Sequence, residues 1–352
     1  MSNFILGDLD TKFKVGSADC RVYLGDTCVY SGDTPTPHDY SQDYFTVRAI
    51  DDDITLYLSS TIESNTFSYS TDGGTTWSEP SGSIEVTINS GDTVLFKGSG
   101  NTSSINKPVC ALKPMYTDRQ YELEGNIMSL LYGDNFVGQT DLSNYPYAFT
   151  FFVQLGKTTP APYIASIENL ALPATTLANN CYASMFSYCT SLTTAPILPA
   201  TTLADSCYKS MFKGCTSLTT APVLSVTTLA DSCYASMFNG CTSLTTAPTL
   251  SATTLVNSCY ESMFYGCTSL TTAPTLSATT LANNCYKSMF YHCASLNSIT
   301  CLATDISASN CTGNWVNGVA ASGTFTKAAS MTSWTSGTSG IPSGWTVVDY
   351  SG

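Results

Sequence analysis

Charged side chains are scarce in this chain. Only 11% of its 352 residues are Asp, Glu, Lys or Arg, and the 26 acidic residues outnumber the 13 basic ones. The imbalance lies in the first 150 residues, which hold 20 acidic and 8 basic residues against 6 and 5 in the rest. Nucleic-acid binding requires clustered Lys and Arg that neutralise phosphates. We therefore expect no nucleic-acid partner, and a second half whose surface is mostly Thr, Ser, Asn and Ala.

Long apolar runs are also missing. No stretch approaches the roughly 18 apolar residues of a membrane-spanning helix, so we expect no membrane insertion. The first residues, MSNFILGDLDTKFKV, lack the basic segment followed by an apolar one that marks a secretory signal. We therefore expect the chain to fold in the cytoplasm of the cell that makes it, where thiols stay reduced.

Groups that carry catalysis are few. The chain has two histidines, His38 and His292, and neither lies in a pattern typical of a nucleophile and its base. No glycine-rich phosphate loop is present. The recurring C-x7-C spacing lacks the short knuckle of a zinc site, and no glycine-bearing calcium loop follows the acidic run 51–53. We expect no enzymatic activity, no cofactor and no bound metal.

What the chain does contain is a repeat. Between residues 172 and 319 the sequence LPATTLANNCYASMFSYCTSLTTAPI recurs with small changes every 26 residues. A fixed period with constant apolar positions is typical of stacked repeats, in which each repeat buries its apolar face against its neighbours. A period of 26 residues also lies in the roughly 20–29-residue range of leucine-rich repeats. The constant cysteines are Cys181, Cys207, Cys233, Cys259, Cys285 and Cys311 in one column, and Cys189, Cys215, Cys241, Cys267 and Cys293 in a second.

Each repeat divides into two halves with different patterns. In TLADSCYKSMFKGC, apolar residues recur every four positions, at Leu203, Cys207, Met211 and Cys215, which is the spacing of one face of a helix. The threonine-rich half, SLTTAPVL, indicates a short strand whose length Pro222 limits. The sequence therefore predicts a β-rich N-terminal part followed by an α/β leucine-rich-repeat solenoid, with a short strand and a short helix in each repeat.

The repeat cysteines admit two interpretations. Residues stacked in neighbouring strands lie roughly 5 Å apart, which is within the range for a disulfide, but parallel side-chain vectors fit the required dihedral angle badly. Alternatively, cysteine serves as a small buried apolar residue between the two halves of each repeat. We favour free thiols, because folding in a reducing cytoplasm points the same way.

The repeat CYxSMFxxCTSLTTAPxL resembles the BspA-like leucine-rich repeats of bacterial surface proteins, in a variant common in gut bacteria and their phages. The flanking segments EGNIMSLLYGDNF, NWVNGVAASGTFTK and SGIPSGWTVVDY resemble that variant too, so the resemblance covers about two-thirds of the chain. It implies a leucine-rich-repeat fold and a role in adhesion, and it brings no catalytic residues.

A second resemblance lies near the N-terminus. RVYLGDTCVY is similar to the short attachment segments of phage tail and head-fibre proteins, in which a vYLGDTxVY element recurs. It implies docking on another virion protein, with Val22, Tyr23, Leu24 and Val29 as candidate attachment residues. An ordinary β-meander is the alternative. Together the two resemblances suggest an appendage protein of a phage of gut bacteria, with the crAss-like phages as a candidate group.

Six segments are predicted along the chain. The period breaks down after the last full repeat, where Trp315 and Val316 occupy the Met-Phe positions, and this atypical repeat marks the C-terminal cap. The predicted segments are an attachment β segment (1–31), a linker (32–41), a small β-sandwich (42–113), an N-terminal cap of the repeats (114–165), the BspA-like repeats (166–322) and a C-terminal cap or tail (323–352).

Positions that vary between repeats are the candidates for ligand binding. Three columns on the polar face of the predicted helix change while the apolar positions stay constant. Exposed tyrosines are common at protein and glycan contacts. Drift at unconstrained surface positions is the alternative. The candidates are Tyr188, Lys209, Lys213, Asn239, Tyr265, Lys287, Tyr291 and His292.

We therefore expect a virion structural protein, in a tail or head fibre or appendage, that assembles in the host cytoplasm and displays the repeats for adhesion. The expected partners are other virion proteins, bound through the N-terminus, and a host-surface protein or glycan, including mucus. We also expect a homo-oligomer, with a trimer as one arrangement. The alternatives are a bacterial cell-surface adhesin of the BspA-like family and a purely structural appendage. A depolymerase is disfavoured because the repeats lack paired carboxylates.

Overall fold

The computed structural model describes residues 21–24, 27–31, 38–60, 62–104, 106–115, 119–153 and 163–351. The chain divides into two compact units, residues 1–39 and 40–352. In the first unit, β1 (Arg21–Leu24) and β2 (Thr27–Ser31) form an antiparallel hairpin. The rest of the predicted attachment segment, and residues 32–37 of the predicted linker, lie outside the described residues.

The second unit contains the remaining elements. Its described strands are β3 (Phe45–Ala49), β4 (Ile54–Ser59), β5 (Phe67–Ser70), β6 (Ile84–Ile88), β7 (Thr93–Gly98), β8 (Ala111–Pro114), β9 (Tyr121–Asn126), β10 (Ile164–Ser166), β11 (Leu170–Ala171), β12 (Ser298–Cys301), β13 (Thr324–Lys327) and β14 (Thr346–Asp349). Its described helical segments are the α-helix α1 (Ser129–Tyr132) and the 3-10 helices Tyr40–Gln42 and Gly133–Asn135.

Two sheets form the β domain at the start of the second unit. One has the order β10-β9-β3-β7-β5, with β11 also paired to β9, and the other has the order β6-β4-β8. Buried and less buried residues alternate along β4 and β6, because successive side chains of a strand point to opposite faces. β9 belongs to the predicted cap yet pairs with β3, so the β domain and the start of the repeats share one sheet and one core.

The prediction of an α/β leucine-rich-repeat solenoid with a helix in each repeat is wrong. Residues 204–215 and their copies form consecutive tight turns, and the described repeats contain no helix. Their backbone amides alternate between two kinds of acceptor. The amide of Lys209 donates to the carbonyl of Ser206 in the same turn, at 3.1 Å. The amide of the preceding residue, Tyr208, donates to the carbonyl of Cys233 in the following repeat, at 3.0 Å.

Positive φ angles at every fourth residue keep these turns out of a helix. In one repeat they fall on Ser206 (57°), Ser210 (57°) and Gly214 (74°), whereas an α-helix has negative φ at every residue. The apolar residue at every fourth position therefore reflects consecutive four-residue turns. Asn, Ser and Gly hold most of the equivalent positions, and Gly and Asn are the residues that most readily adopt left-handed conformations.

The threonine-rich half of each repeat is less regular than a strand. Within the described residues it pairs with its neighbours mainly through isolated bridges, such as Thr220 with Thr246 and Thr272 with Ser298. Only the last repeat extends this pairing into a strand, β12. The predicted strand is therefore present in reduced form, and most contact between repeats is made by the turns.

Buried side chains stack in columns through the repeats. The rings of neighbouring tyrosines in one column have centroids 5.9–6.2 Å apart, and Trp315 continues that column at the C-terminal end. Cys110 and the twelve cysteines from Cys181 to Cys311 are buried free thiols, as the apolar interpretation predicts. Thiols of the second cysteine column also donate to a carbonyl of the preceding repeat, for example Cys241 to Phe212 at 3.1 Å. The stacked tyrosines are Tyr182, Tyr208, Tyr234, Tyr260 and Tyr286.

Candidate functional site

The two halves of each repeat present different surfaces. We call residues 204–215 and their copies the turn side, and residues 216–229 and their copies the threonine side. All eight candidate ligand-binding residues lie on the turn side. Every charged side chain between residues 172 and 296 lies there as well: Asp205, Lys209, Lys213, Asp231, Glu261 and Lys287.

The first end of the candidate surface is formed by Tyr188. Its φ angle is 64°, which is rare for a bulky residue, and the next three repeats have glycine at this position. The ring lies across Gly214, where an added Cβ atom would come within 2.5 Å of the Tyr188 Cδ1 atom. Lys213 places its Nζ atom 5.9 Å from the centroid of the same ring, within the range of a cation–π contact. The half-buried Tyr188 ring is thus held flat against the following repeat.

The other end is a cluster of three rings. Tyr265 and Tyr291 stack with centroids 4.8 Å apart and an interplanar angle of 10°. The exposed His292 packs edge-on against Tyr291, with a centroid distance of 4.3 Å. His292 has a φ angle of 59°, again at a position where the three preceding repeats have glycine. Both ends of the glycine column therefore carry an aromatic residue in a strained conformation.

Between these ends lie the remaining candidates. Lys287 forms an ion pair with Glu261 of the preceding repeat at 2.9 Å, and both side chains are partly exposed. Lys209 is exposed, and Asn239 is half-buried in the column that continues to Tyr265. The structure thus brings all eight predicted residues to one surface, in columns that run along the stack from one repeat to the next.

The threonine side carries a shallow pocket that sequence reasoning missed. Ile197 and Val223 are exposed on this side, at 83% and 79%, in adjacent repeats. The hydroxyl of Thr219 donates to the carbonyl of Thr193 at 3.2 Å. The sequence signal that could have indicated this surface is the absence of charged residues from the threonine side of four successive repeats. The pocket measures about 370 Å³ and is lined by Thr219, Thr220, Ala221, Thr245, Thr246, Ala247 and Pro248.

Metal-ligating and thiol side chains are further candidates for chemistry on the described residues. They contain no group of three or more His, Cys, Asp or Glu side chains placed to hold a metal ion. Burial raises the pKa of the Cys233 thiol to about 12, and the other repeat thiols shift in the same direction for the same reason. A thiol becomes a nucleophile only as the thiolate. The cysteines are therefore structural.

A second polar cluster lies in the β domain. Lys97 places its Nζ atom 4.2 Å from the centroid of the Trp77 ring and pairs with Asp134 at 2.8 Å. The hydroxyl of Tyr44 donates to the same carboxylate at 2.6 Å. Burial and this hydrogen bond raise the pKa of Tyr44 to about 12. Each polar group in this cluster has a partner, so the cluster joins β7 to the segment after α1.

The candidate attachment residues lie in the first unit. Val22, Tyr23 and Leu24 belong to β1, and Val29 belongs to β2. Val22 pairs with Tyr30 and Leu24 with Thr27 across the hairpin. Their side chains lie outside the described part of the chain, so their role as attachment residues stays a prediction.

Comparison with known proteins assigns no relative. No family model matches the chain, and no match is found among curated proteins or solved structures. None of the helices in the described part of the chain has the length and apolar character of a membrane span.

Proposed function

We propose that this protein is a structural protein of a phage virion, in a tail or head fibre or appendage, and that it displays its repeats for adhesion to a host-surface or mucus ligand. The resemblances of the repeat and of the RVYLGDTCVY segment support the virion assignment. The observation that carries the adhesive role is the turn-side surface, where the variable residues of successive repeats meet in adjacent columns.

The turn side suits recognition because its side chains are fixed before a ligand arrives. Its backbone is hydrogen-bonded both within each turn and to the next repeat. The rings of Tyr188, Tyr265 and Tyr291 are half-buried and packed on neighbouring residues. A preorganised surface loses little side-chain entropy on binding. Tyrosine rings with lysine donors beside them are groups that contact proteins and glycans.

Binding to immobilised mucin tests the adhesive role. The double variant Tyr265→Ala/Tyr291→Ala removes the stacked pair, and we expect it to weaken binding by at least about tenfold, as the loss of central aromatic contacts does. The matched control, Thr246→Ala/Thr272→Ala, changes two neighbouring repeats on the threonine side and should bind as the wild type does. A stronger loss in the control would move the binding surface to the threonine side, and no binding by the wild type would favour a structural appendage.

Particle assembly tests the virion assignment. A chain that lacks residues 1–31 is supplied during assembly, and purified particles are assayed for it. We expect the truncated chain to fold and bind its ligand, and to be absent from the particles. Incorporation at the level of the full chain would contradict the attachment role. Absence of the full-length chain from particles would favour the alternative, a bacterial cell-surface adhesin.

A further inference from the structure

The repeats end in an open sheet edge at their C-terminal side. β12, β13 and β14 stack in parallel in that order, and among the described strands β14 pairs with β13 alone. Ile299, Phe325 and Val347 occupy one column of this sheet. Ile299 and Phe325 are fully buried, whereas Val347 is 44% exposed. The apolar column of the core is therefore uncovered at its last member.

The N-terminal end of the same repeats is covered. The ring of Phe149 stacks on Tyr182 of the first repeat with centroids 5.9 Å apart. The amide of Leu142 donates to the carbonyl of Thr176 at 2.8 Å. Stacked-repeat proteins need a polar cap at each end to remain soluble as monomers. The N-terminal end of this stack meets that requirement. At the C-terminal end Trp334 stacks on the buried Trp315 with centroids 5.7 Å apart, so the core is covered there, and Val347 on β14 is left partly exposed.

The backbone of β14 is oriented for further pairing. The amides of Thr346 and Tyr350 donate to carbonyls on the β13 side, those of Gly323 and Lys327, at 2.9 and 2.7 Å. Alternate residues of a strand direct their N–H and C=O groups to opposite edges. The corresponding groups of Val347 therefore point to the free edge, which is a template for another strand.

We propose that two copies of this chain pair through their β14 strands, antiparallel, about a twofold axis at Val347. The outward N–H and C=O groups of Val347 are those of a hydrogen-bonded antiparallel pair, in which both residues exchange both bonds. Residues that are opposite each other in such a pair project from the same face. The arrangement therefore joins the two Val347 side chains, which are the exposed ends of the two apolar columns. A twofold contact of this kind is self-complementary.

Charge is compatible with this pairing. The antiparallel register places Asp349 opposite Trp345 of the second copy, so the two Asp349 carboxylates lie about 13 Å apart along the strands, beyond the screening length of about 8 Å at physiological salt. Each Asp349 also pairs with Lys327 of its own chain. The half of the chain that contains the repeats has 6 acidic and 5 basic residues, so the two ends repel little. A parallel pairing would instead place the carboxylates side by side.

Sedimentation velocity of the full chain tests the proposal over about 1 μM to 1 mM, because a contact of one strand pair is small and its affinity modest. Wild type should shift with concentration from 37.5 kDa to twice that mass. Val347→Lys should raise the dissociation constant at least about tenfold. The matched control is Val223→Lys, an equally apolar valine that is 79% exposed on the threonine side, and it should dimerise as the wild type does.

A proline variant separates pairing from side-chain effects. Val347→Pro removes the outward N–H and leaves the bonds of Thr346 and Tyr350 to β13 in place, and proline is tolerated on a free edge. It should stay folded, with unchanged thermal unfolding, and stay monomeric. A wild type that remains a monomer at the highest concentration overturns the proposal. Equal weakening of the dimer by Val347→Lys and Val223→Lys would also overturn it. Loss of the dimer on deletion of residues 1–31 would do the same. Ligand binding is not measured here, so failure leaves the adhesive role untouched.

Discussion

The turn side and the threonine side of each repeat contact the neighbouring repeats through different interactions. On the turn side, the amide of every second residue bonds to the next repeat, thiols donate to carbonyls, and every charged side chain between residues 172 and 296 is found. The threonine side is uncharged in the first four repeats, relies mainly on isolated bridges, and leaves Ile197 and Val223 exposed. The difference indicates that the turn side carries the stability of the stack, whereas the threonine side mainly completes each repeat.

Alkaline pH should lower the free energy of unfolding through the buried thiols of the turn side, and this is the largest effect we expect. Thiols such as Cys233 have an ordinary pKa of 9.0, which burial raises to about 12. Above pH 9 the unfolded chain loses these protons and the folded chain keeps them. The folded state then binds more protons, so the free energy of unfolding falls as pH rises. Each buried thiol contributes a slope approaching about 1.4 kcal/mol per pH unit.

Chemical denaturation at pH 8, 9 and 10, in the presence of a reductant, measures this slope. Tyrosines and lysines also ionise in the unfolded chain, so a control must isolate the thiols. The double variant Cys233→Ala/Cys259→Ala should be less stable at pH 8 and should show a shallower slope by the contribution of two thiols. A stability that is constant from pH 8 to pH 10 would contradict the protonated-thiol account.

Shortening a buried side chain on the turn side should have the next largest effect. Met237 is fully buried with a repeat on each side, so Met237→Ala should cost about 2–5 kcal/mol in free energy of unfolding, as large-to-small core changes do. Val223→Ala on the threonine side removes an exposed apolar side chain and should cost under about 0.5 kcal/mol. Urea titration of both variants decides the comparison, because similar losses would mean that the two sides contribute equally.

The sequence predicts the stack and its core more reliably than its local conformation. The 26-residue period and the constant Cys, Met and Leu positions identify residues that are buried in the structure. The helix was wrong because Leu203, Cys207, Met211 and Cys215 recur every four residues in consecutive turns as well as in a helix. The distinguishing signal is a second period of four, in Ser206, Ser210 and Gly214, where the backbone is left-handed.

The candidate surface was predictable for a simpler reason. The eight candidates vary within an otherwise constant repeat, and all eight are exposed or half-buried on the turn side, so variation identified this surface although the predicted conformation was wrong. The packing of Tyr188 across Gly214, and the charge-free pocket on the threonine side, depend on contacts between repeats. Those contacts follow from the turn geometry, which periodicity alone does not specify.

A glycine substitution distinguishes a helix from consecutive turns, because the change in the free energy of unfolding has opposite signs in the two. Gly240 has a φ angle of 78°, with room for a Cβ atom beside Gly214. In a helix, Gly→Ala would stabilise by about 0.5–1 kcal/mol. In these turns, Gly240→Ala should destabilise by about 1–2 kcal/mol because the left-handed conformation crowds the new side chain. Gly240→Asn, a residue that adopts this conformation more readily, should restore part of the loss. Thermal unfolding of the three proteins ranks their stabilities. An alanine variant more stable than the wild type would support the helix prediction and contradict the turns.

Lys209→Ala should have the smallest effect, although it lies on the side that carries the stability. Its amide donates to the carbonyl of Ser206 within the turn, its carbonyl accepts from the amide of Ser184 in the preceding repeat, and alanine keeps both bonds. The side chain itself is exposed, so its removal should change the free energy of unfolding by under about 0.5 kcal/mol. Urea titration beside Met237→Ala checks the value, and a loss above about 1 kcal/mol would show that the side chain supports the turn. If the small value is found, this column is free to vary without cost to the fold, so selection on its residues can act through what they bind.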